Sequence, residues 1–260
     1  MKEKYKTDVA LLSVTAAEFQ AVMHFHDWKA KTFSNDEQIY DVATFTNNGK
    51  ERSIVHAKIG EMGMTAAAAT AMKVIFTFRP RYLIMVGIAA GVAKENVEQQ
   101  MYGDVIVPDI VWNYSAGKFV SPDKAEIVYG NLGFLPRSTY EMIPEEIMPL
   151  LRKTVASNEN PCHVFIGPMA CGSTVVASRE LLEKQVYSQY QHTAGLDMES
   201  YAVVYAANHS SDPKPIPIIV KSVCDYADSH KSDNYQRFAA YTSCDYAKYL
   251  YEKVLSMEDD

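Results

Sequence analysis

The 260-residue chain has few cysteines and no excess of positive charge. Its four cysteines form no CxxC pair and match no zinc-ligand spacing, which excludes a disulfide scaffold and a common zinc module. Its 25 basic residues against 32 acidic ones give a net charge of −7, which argues against a general nucleic-acid binder. No apolar run approaches the roughly 18 residues of a membrane span, and the N-terminus lacks signal-peptide features. We therefore expect a cytoplasmic protein that binds neither membranes nor nucleic acids.

Motifs for common cofactors and nucleophiles are also missing. The sequence has no GxxxxGK[ST] and no GxSxG, and its glycine pattern falls short of the GxGxxG of nicotinamide-dependent oxidoreductases. Its histidines form no HxxxH or HExxH pair, so neither a metal nor another cofactor is expected. Cys171 and Cys224 have no histidine close by in sequence to activate them, and we interpret them as buried structural thiols.

Short apolar runs alternate with longer stretches that can form helices. The predicted strands are Val9–Val14, Ile39–Phe45, Ser53–Ala57, Tyr82–Val86, Asp104–Val111, His163–Ile166 and Ile216–Val223. The predicted helices are Ala16–His24, Glu61–Phe78, Glu199–Asn208 and Tyr235–Leu255. This alternation predicts one α/β domain over residues 1–260, with a largely parallel sheet covered on both faces. Residues 112–145 are the least regular and are expected to form an elaborated loop region.

Candidate site residues follow the predicted strands, because ligands of open α/β sheets bind beyond the carboxyl ends of the strands. Asp225 ends an apolar strand, Glu199 opens a helix, and Glu18 lies in the first turn of another helix. Each carboxylate also has a purely structural interpretation as a helix cap or first-turn acid. The Gly87–Gly91 segment is either a tight strand-to-helix turn or a place where the backbone approaches a ligand.

Five sequence blocks, in order, resemble the nucleoside phosphorylase and nucleosidase superfamily, most closely its 5′-methylthioadenosine/S-adenosylhomocysteine nucleosidases. The blocks are VALLSVTAAEF (Val9–Phe19), AKIGEMGMTAAAAT (Ala57–Thr70), IMVGIAAGV (Ile84–Val92) with YGDVIVP (Tyr102–Pro108), GLDMES (Gly195–Ser200) and SVCDYAD (Ser222–Asp228). The resemblance implies a three-layer α/β/α fold around a mixed, partly barrel-like sheet. It also implies cleavage of the N-glycosidic bond of a purine nucleoside, a small-molecule substrate, by a homodimer whose subunits complete each other's pockets.

The resemblance further implies a role for individual residues. Asp225 matches the acid that hydrogen-bonds or protonates N7 of the purine, and Glu199 matches the carboxylate that binds the ribose hydroxyls. Met198 packs beneath the sugar, Glu18 holds and deprotonates the attacking water, and the backbone of Val176 recognises the edge of the base. These roles agree with the chemistry, since glycosidic cleavage builds positive charge on the ribose and negative charge on the departing base.

Departures from the family pattern favour hydrolysis over phosphorolysis. Phosphorolytic members commonly carry an arginine two positions before the glycine-rich segment, where this chain has Met85. Arg79 and Arg81 lie at the opposite end of that predicted strand, far from the expected site. Three further positions depart from the nucleosidase pattern and indicate a divergent branch; they are occupied by Ile88, Val175 and Cys224.

Two alternatives to a nucleosidase remain open, namely a phosphorylase of the same fold and a nucleoside-binding regulatory module without turnover. We expect the segment Ser229–Phe238 to act as a lid over the 5′ end of the substrate, with Tyr235 in contact with it. The structural alternative is that Tyr235 and Phe238 form a hydrophobic staple at a helix start. Aromatic residues within 112–145 are expected at a dimer interface, unless they fold back on their own core.

Overall fold

A computed structural model describes residues 4–92, 99–229 and 232–257. The strands are β1 (Thr7–Ser13), β2 (Lys29–Phe33), β3 (Asp36–Asn47), β4 (Lys50–Lys58), β5 (Pro80–Ala90), β6 (Val105–Val107), β7 (Ile110–Asn113), β8 (Gly117–Val120), β9 (Ile127–Tyr129), β10 (Leu132–Pro136), β11 (Thr139–Met142), β12 (Val164–Ile166), β13 (Met169–Cys171), β14 (Gly195–Asp197) and β15 (Ile216–Asp225). The α-helices are α1 (Ala16–Met23), α2 (Met64–Phe78), α3 (Met148–Val155), α4 (Arg179–Leu182), α5 (Ser200–Asn208) and α6 (Gln236–Tyr249). Short 3₁₀ segments cover Pro122–Lys124 and Asp233–Tyr235, and π-helical turns cover Glu183–Tyr187 and Leu250–Val254.

Twelve strands of the described residues form one mixed sheet, in which β5 is central. Its main path runs β11-β7-β13-β14-β5-β1-β4-β3-β2, and a branch joins β15 to β5 and to β6, which pairs with β12. The strands β4, β1, β5 and β15 run parallel, whereas β3 and β14 are antiparallel to their neighbours β4 and β5. The implied mixed sheet is therefore confirmed.

Helices flank this sheet and bury their apolar faces against it. Helix α2 packs against α5, and α1 packs against α6, which also contacts β5 and β15. The long strands β5 and β15 are buried along almost their whole length, as expected for strands covered on both faces. This arrangement confirms the α/β class. No helix among the described residues is long and apolar enough to cross a membrane.

The interpretation of residues 112–145 as a loop region is wrong. The segment contains β8, β9 and β10, which form a separate antiparallel sheet, and it ends in β11 on the edge of the main sheet. Its strands are only three to five residues long, so their alternation is too brief to stand out from the intervening glycines and prolines.

The aromatic side chains of this segment divide into two groups. Trp112, Tyr114 and Phe134 are 2–3% exposed and therefore fold back on their own chain. Phe119 and Tyr140 remain 62% and 70% exposed. The buried group removes much of the aromatic surface that was expected at a dimer interface.

Candidate active site

A cavity of about 340 Å³ opens where β1, β5 and β15 end. Because these strands are parallel, the residues that follow them meet at one edge of the sheet. Glu18, Glu199 and Asp225, which lie far apart in the sequence, all line this cavity. Met198 and Val176 line it as well. The structure thus brings together five of the seven residues that the sequence singled out.

The Glu18 carboxylate is held by three backbone amides. Its Oε2 accepts hydrogen bonds from the N–H groups of Val14 (2.7 Å) and Thr15 (2.8 Å), and its Oε1 accepts one from Ile88 (2.9 Å). Thr15 in turn caps the helix through its hydroxyl, completing a capping box with Glu18. Glu18 is only 1% exposed, yet it lines the cavity. It is therefore both a helix-capping residue and a candidate site residue.

Gly87 does not form the turn that the sequence indicated for the Gly87–Gly91 segment. It lies inside β5, and the glycine-free stretch after it continues the strand as far as Ala90. A Cβ at position 87 would stand 2.3 Å from Glu18 Oε1 and 3.1 Å from Lys221 Nζ. Glycine is needed there because the Glu18 carboxylate and the Lys221 ammonium occupy the space of a side chain. Gly87 is not among the residues that line the cavity.

A buried lysine organises the carboxylates of this edge. Lys221 is 1% exposed in the middle of β15, and its Nζ lies 3.3 Å from Asp197 Oδ2 and 3.6 Å from Glu199 Oε2. Burial alone would lower the pKa of Lys221, but the charges of Asp197, Glu199 and Glu18 outweigh it and raise this pKa. The lysine therefore stays charged and offsets the cost of burying several carboxylates together.

Glu199 lies at the N-cap position of α5, next to this lysine. Its Oε1 accepts a hydrogen bond from the N–H group of Gly63 (2.8 Å). Gly63 has a φ of 109°, a backbone conformation that favours glycine. Burial raises the pKa of Glu199, and the Lys221 charge opposes that rise. The second oxygen of Glu199 faces Lys221, so the carboxylate has a fixed orientation at the cavity wall.

Asp225 stands at the last residue of β15 and is 3% exposed. The register of β15 against β5 shifts between Val223 and Asp225, and such a bulge redirects the side chains that follow it. Asp225 Oδ1 accepts a hydrogen bond from Ala227 N–H (2.9 Å), and Oδ2 accepts one from the Cys224 thiol (3.3 Å). Asp225 therefore has a defined orientation at the cavity.

The surroundings of Asp225 are largely apolar. Ala90 pairs with Asp225 across β5 and β15, and Leu196 pairs with Ala90 from the other side. Val175 and Val176 approach from a segment without regular secondary structure. A flat apolar ring fits between such side chains, and a single carboxylate at its edge can supply one directional contact.

The structure does not bring Tyr235 into the cavity wall. Its ring stacks on Tyr102, with centroids 3.8 Å apart and planes within 6°. Asp233 and Gln236, from the same segment, line the cavity instead. Part of the expected lid, His230 and Lys231, lies outside the described residues. The direct contact between Tyr235 and a substrate stays a prediction without support from the cavity geometry.

The described part of the cavity wall contains neither arginine nor lysine. Met85 is fully buried within β5, and Arg79 caps the C-terminus of α2 before that strand begins. No group of three or more potential metal ligands occurs among the residues that the structure describes. The described wall thus provides carboxylates and other hydrogen-bonding groups, but no positively charged side chain that could bind an inorganic phosphate.

The sequence analysis missed Asp197 and Lys221, which form a buried ion pair beside the cavity. Asp197 lines the cavity, pairs with Lys221 and accepts hydrogen bonds from Ser200 N–H and its hydroxyl. The signal for Lys221 was present, since lysine is rarely buried without a partner and here interrupts the apolar run IPIIVKSV. The partners themselves could not be read from the sequence, because they lie more than 20 residues away.

The model of the phosphorylase superfamily matches residues 8–250, and the chain belongs to that superfamily. Among solved structures, it is similar to the 5′-methylthioadenosine/S-adenosylhomocysteine nucleosidase of Neisseria meningitidis, with a TM-score of 0.74 at 18% identity over 95% of this chain and 99% of that one. It is also similar to the futalosine hydrolase of Helicobacter pylori, with a TM-score of 0.71 at 18% identity over 94% and 96% of the two chains. These likenesses confirm the fold.

Curated sequence relatives are longer proteins. The chain is 29% identical over 245 residues to the uncharacterized protein y4jS of Sinorhizobium fredii, covering 88% of this chain and 57% of that protein. It is 25% identical over 232 residues to the ATP nucleosidase Cap17 of Escherichia coli, covering 82% of this chain and 44% of that protein. The chain thus spans about half the length of the curated relatives that it matches.

Proposed function

We propose that this protein is a purine nucleosidase that hydrolyses the N-glycosidic bond of an adenine-type nucleoside with a 5′ substituent. The observation that carries the proposal is the meeting of Glu18, Glu199 and Asp225 at one cavity whose described wall holds no basic side chain. A site that only binds nucleosides has no need of three buried carboxylates, since each costs free energy to desolvate. Superfamily membership is consistent with this chemistry.

Each carboxylate has a separate task in the proposed reaction. Asp225 hydrogen-bonds or protonates N7 of the purine, so that the base leaves without a full negative charge. Glu199, held by Gly63 N–H and paired with Lys221, binds the ribose hydroxyls, with Met198 beneath the sugar. Negative charge at this position favours the positive charge that develops on the ribose.

Glu18 orients and deprotonates the water that attacks the ribose. Its three backbone hydrogen bonds hold the carboxylate in one position, which reduces the reorganisation needed during the reaction. The backbone of Val176 contacts the edge of the base. Hydrolysis is favoured over phosphorolysis because Met85 stands where phosphorolytic members carry an arginine and because the described cavity wall has no cation.

The 5′ substituent differs among the similar proteins. The names of the structural relatives indicate methylthioadenosine, S-adenosylhomocysteine and futalosine, whereas that of Cap17 indicates ATP. Methylthioadenosine and S-adenosylhomocysteine were the substrates that the sequence resemblance implied. Methylthioadenosine, S-adenosylhomocysteine and ATP, which carry adenine, are the candidates for the present chain.

Release of free base from a nucleoside panel tests the proposal. Adenosine, methylthioadenosine, S-adenosylhomocysteine, ATP and inosine are incubated with the protein, with and without phosphate, and the base is quantified by chromatography. We expect free adenine without any need for phosphate. Release that depends on phosphate identifies a phosphorylase, and saturable binding without release identifies a regulatory nucleoside-binding module.

We also propose a homodimer, which the family resemblance implies. The exposed side chains of Phe119 and Tyr140 supply apolar surface for such contact, although Trp112, Tyr114 and Phe134 do not, since they are buried. Light scattering at micromolar concentration is expected to give twice the monomer mass. A monomer mass contradicts the proposal.

A further inference from the structure

The cavity wall is polar at the segment from which Tyr235 was expected to contact the substrate. The segment after the Asp225 loop contributes Asp233 and Gln236 to the cavity wall, from the 3₁₀ turn Asp233–Tyr235 and from the first residue of α6. Both side chains carry hydrogen-bonding groups. The wall at this end therefore favours a ligand atom that can form a hydrogen bond.

The aromatic side chains of the same segment face other residues. Tyr235 stacks on Tyr102. The ring of Phe238 occupies the space above Gly103, where a Cβ would stand 2.3 Å from its Cε1. Because Tyr235 and Phe238 are engaged in these contacts, neither contributes an apolar surface to the cavity.

The Gln236 side chain is hydrogen-bonded to the neighbouring Asp233, and both side chains are accessible to solvent. Its Nε2 donates a hydrogen bond to Asp233 Oδ1 at a distance of 2.6 Å. A primary amide has two N–H donors and a carbonyl acceptor, so this bond leaves one N–H and the Oε1 atom free of Asp233. An amide N–H donates well to a hydroxyl, ether or phosphate oxygen and only weakly to a thioether sulfur.

The place of this pair relative to a substrate rests on the proposed function. Asp225 then contacts the base and Glu199 the ribose hydroxyls, so a substituent on C5′ leaves the sugar away from both. Glu18 lies on the face of the ribose that the water attacks. Thr15 is hydrogen-bonded to Glu18, Asp197 is paired with Lys221, and Thr174 comes just before the residues assigned to the base. Asp233 and Gln236 are then the polar side chains of the described wall that are left to meet the 5′ substituent.

We infer that Gln236, oriented by Asp233, is a specificity-determining residue that selects nucleosides with an oxygen at the 5′ position over 5′-thioethers. The oxygen belongs either to a free hydroxyl, as in adenosine, or to a phosphate ester, as in ATP. A site built to hydrogen-bond an oxygen discriminates against an analogue that lacks it, because the donor that faces the ligand then loses its acceptor.

The test compares kcat/KM for adenosine, ATP and methylthioadenosine in three proteins, namely the native chain, Gln236→Leu and Gln20→Leu. Gln20 is exposed on α1, which makes its substitution a matched control for the change in chemistry. The native protein is expected to prefer adenosine or ATP to methylthioadenosine by about tenfold or more. Gln236→Leu is expected to reduce that preference about tenfold, because kcat/KM falls for adenosine or ATP but not for methylthioadenosine. Gln20→Leu is expected to leave the preference unchanged.

A second substitution distinguishes the two sources of the oxygen. Gln236→Glu places another carboxylate beside Asp233, so a phosphate that contacts this residue is repelled while a hydroxyl is still accepted. If ATP is the preferred substrate, its kcat/KM falls much more than that of adenosine. If adenosine is preferred, ATP is a poor substrate before and after the change.

Preference of the native protein for methylthioadenosine overturns the inference. So does an equal loss for all three substrates in Gln236→Leu at an unchanged melting temperature, since this indicates a general role at the helix start. Failure of the proposed function has a different signature, in which no nucleoside releases its base. In that case the dissociation constants of adenosine and methylthioadenosine, measured for the native protein and Gln236→Leu, decide the inference without turnover.

Discussion

Two buried clusters of polar side chains lie close together in this fold, and only one of them reaches the cavity. The first consists of Lys221, Asp197, Glu199 and Glu18, and we call it the lysine cluster. The second is a serine–histidine–aspartate chain, in which His56 Nε2 lies 2.9 Å from Ser13 Oγ and His56 Nδ1 lies 3.1 Å from Asp41 Oδ2. We call it the histidine cluster.

The histidine cluster has the connectivity of a hydrolase triad but not its accessibility. Ser13 and His56 are 0% exposed and line no part of the cavity, whereas three carboxylates of the lysine cluster form its wall. A nucleophile that no substrate can reach has no catalytic use, so the histidine cluster is structural. Hydrogen-bond connectivity therefore identifies a buried polar network, and access to a cavity distinguishes a functional site from a structural network.

Asp225→Asn is the substitution with the largest expected effect on turnover. Asparagine keeps the shape and one hydrogen bond but supplies no proton to the leaving base, so kcat is expected to fall about 10²–10⁴-fold while nucleoside binding is partly retained. Base release and isothermal titration measure the two properties. The exposed Asp123→Asn is the matched control. Nearly full activity in Asp225→Asn removes this residue from its proposed role.

Lys221→Met tests whether the lysine cluster depends on its one cation. The change leaves Asp197 and Glu199 buried without the ammonium that faces them, and breaking a buried pair in this way costs about 3–5 kcal/mol. Urea unfolding is expected to show this loss of stability, and base release is expected to show low activity. Lys221→Arg retains the charge and is expected to be more stable than Lys221→Met. The surface pair of Lys73 with Asp36 is the control, since Lys73→Met breaks a solvent-screened ion pair and is expected to cost far less stability than Lys221→Met. Equal effects at positions 221 and 73 contradict the assignment.

Glu18→Gln is expected to lower both turnover and stability. An amide NH₂ in place of either carboxylate oxygen faces backbone N–H groups that lose their acceptor, which costs about 1–3 kcal/mol. Water activation fails in addition, so kcat is expected to fall more than the folded fraction does. The urea midpoint, kcat and the affinity of a nucleoside inhibitor are measured on the same sample. If stability falls but kcat per folded molecule is unchanged, Glu18 is only a helix-capping residue and has no role in the reaction.

Ser13→Ala tests the structural assignment of the histidine cluster. The substitution removes one hydrogen bond to His56, so a stability loss of about 1 kcal/mol and an unchanged kcat are expected. Chemical denaturation and base release measure the two quantities. A large loss of kcat at full folding makes the histidine cluster part of the reaction and breaks the comparison between the two clusters.

The pH dependence of stability provides the smallest effect. Burial lowers the pKa of His56 below its usual 6.5, and hydrogen bonding to Asp41 only partly opposes this. Below about pH 6.5 the imidazole of His56 therefore binds a proton in the unfolded chain but stays neutral in the folded chain. The free energy of unfolding consequently decreases as the pH falls below this value. His26, whose pKa is lowered to about 4 by burial, acts in the same direction. Unfolding free energies between pH 7.5 and 5.5 are expected to fall less steeply in His56→Gln than in the native chain; equal slopes contradict the assignment.

The α/β class, the long strands that carry the site and the order of the acidic residues along them all follow from the sequence. Apolar runs predicted β1, β5 and β15 to within a few residues, because burial imposes a local pattern on each strand. The position of Glu18 and Asp225 relative to those strands then followed, and the rule that ligands bind at carboxyl ends brought them to one edge.

Tertiary structure alone decided which groups meet there. Lys221 faces carboxylates that are remote in sequence, Gly87 makes room for Glu18 rather than for a ligand, and Tyr235 turns toward Tyr102 while Gln236 lines the cavity. None of these contacts leaves a periodic trace in the sequence. They depend on strand register, on one bulge in β15 and on the space that neighbouring side chains leave, which exist only once the sheet and its helices have packed.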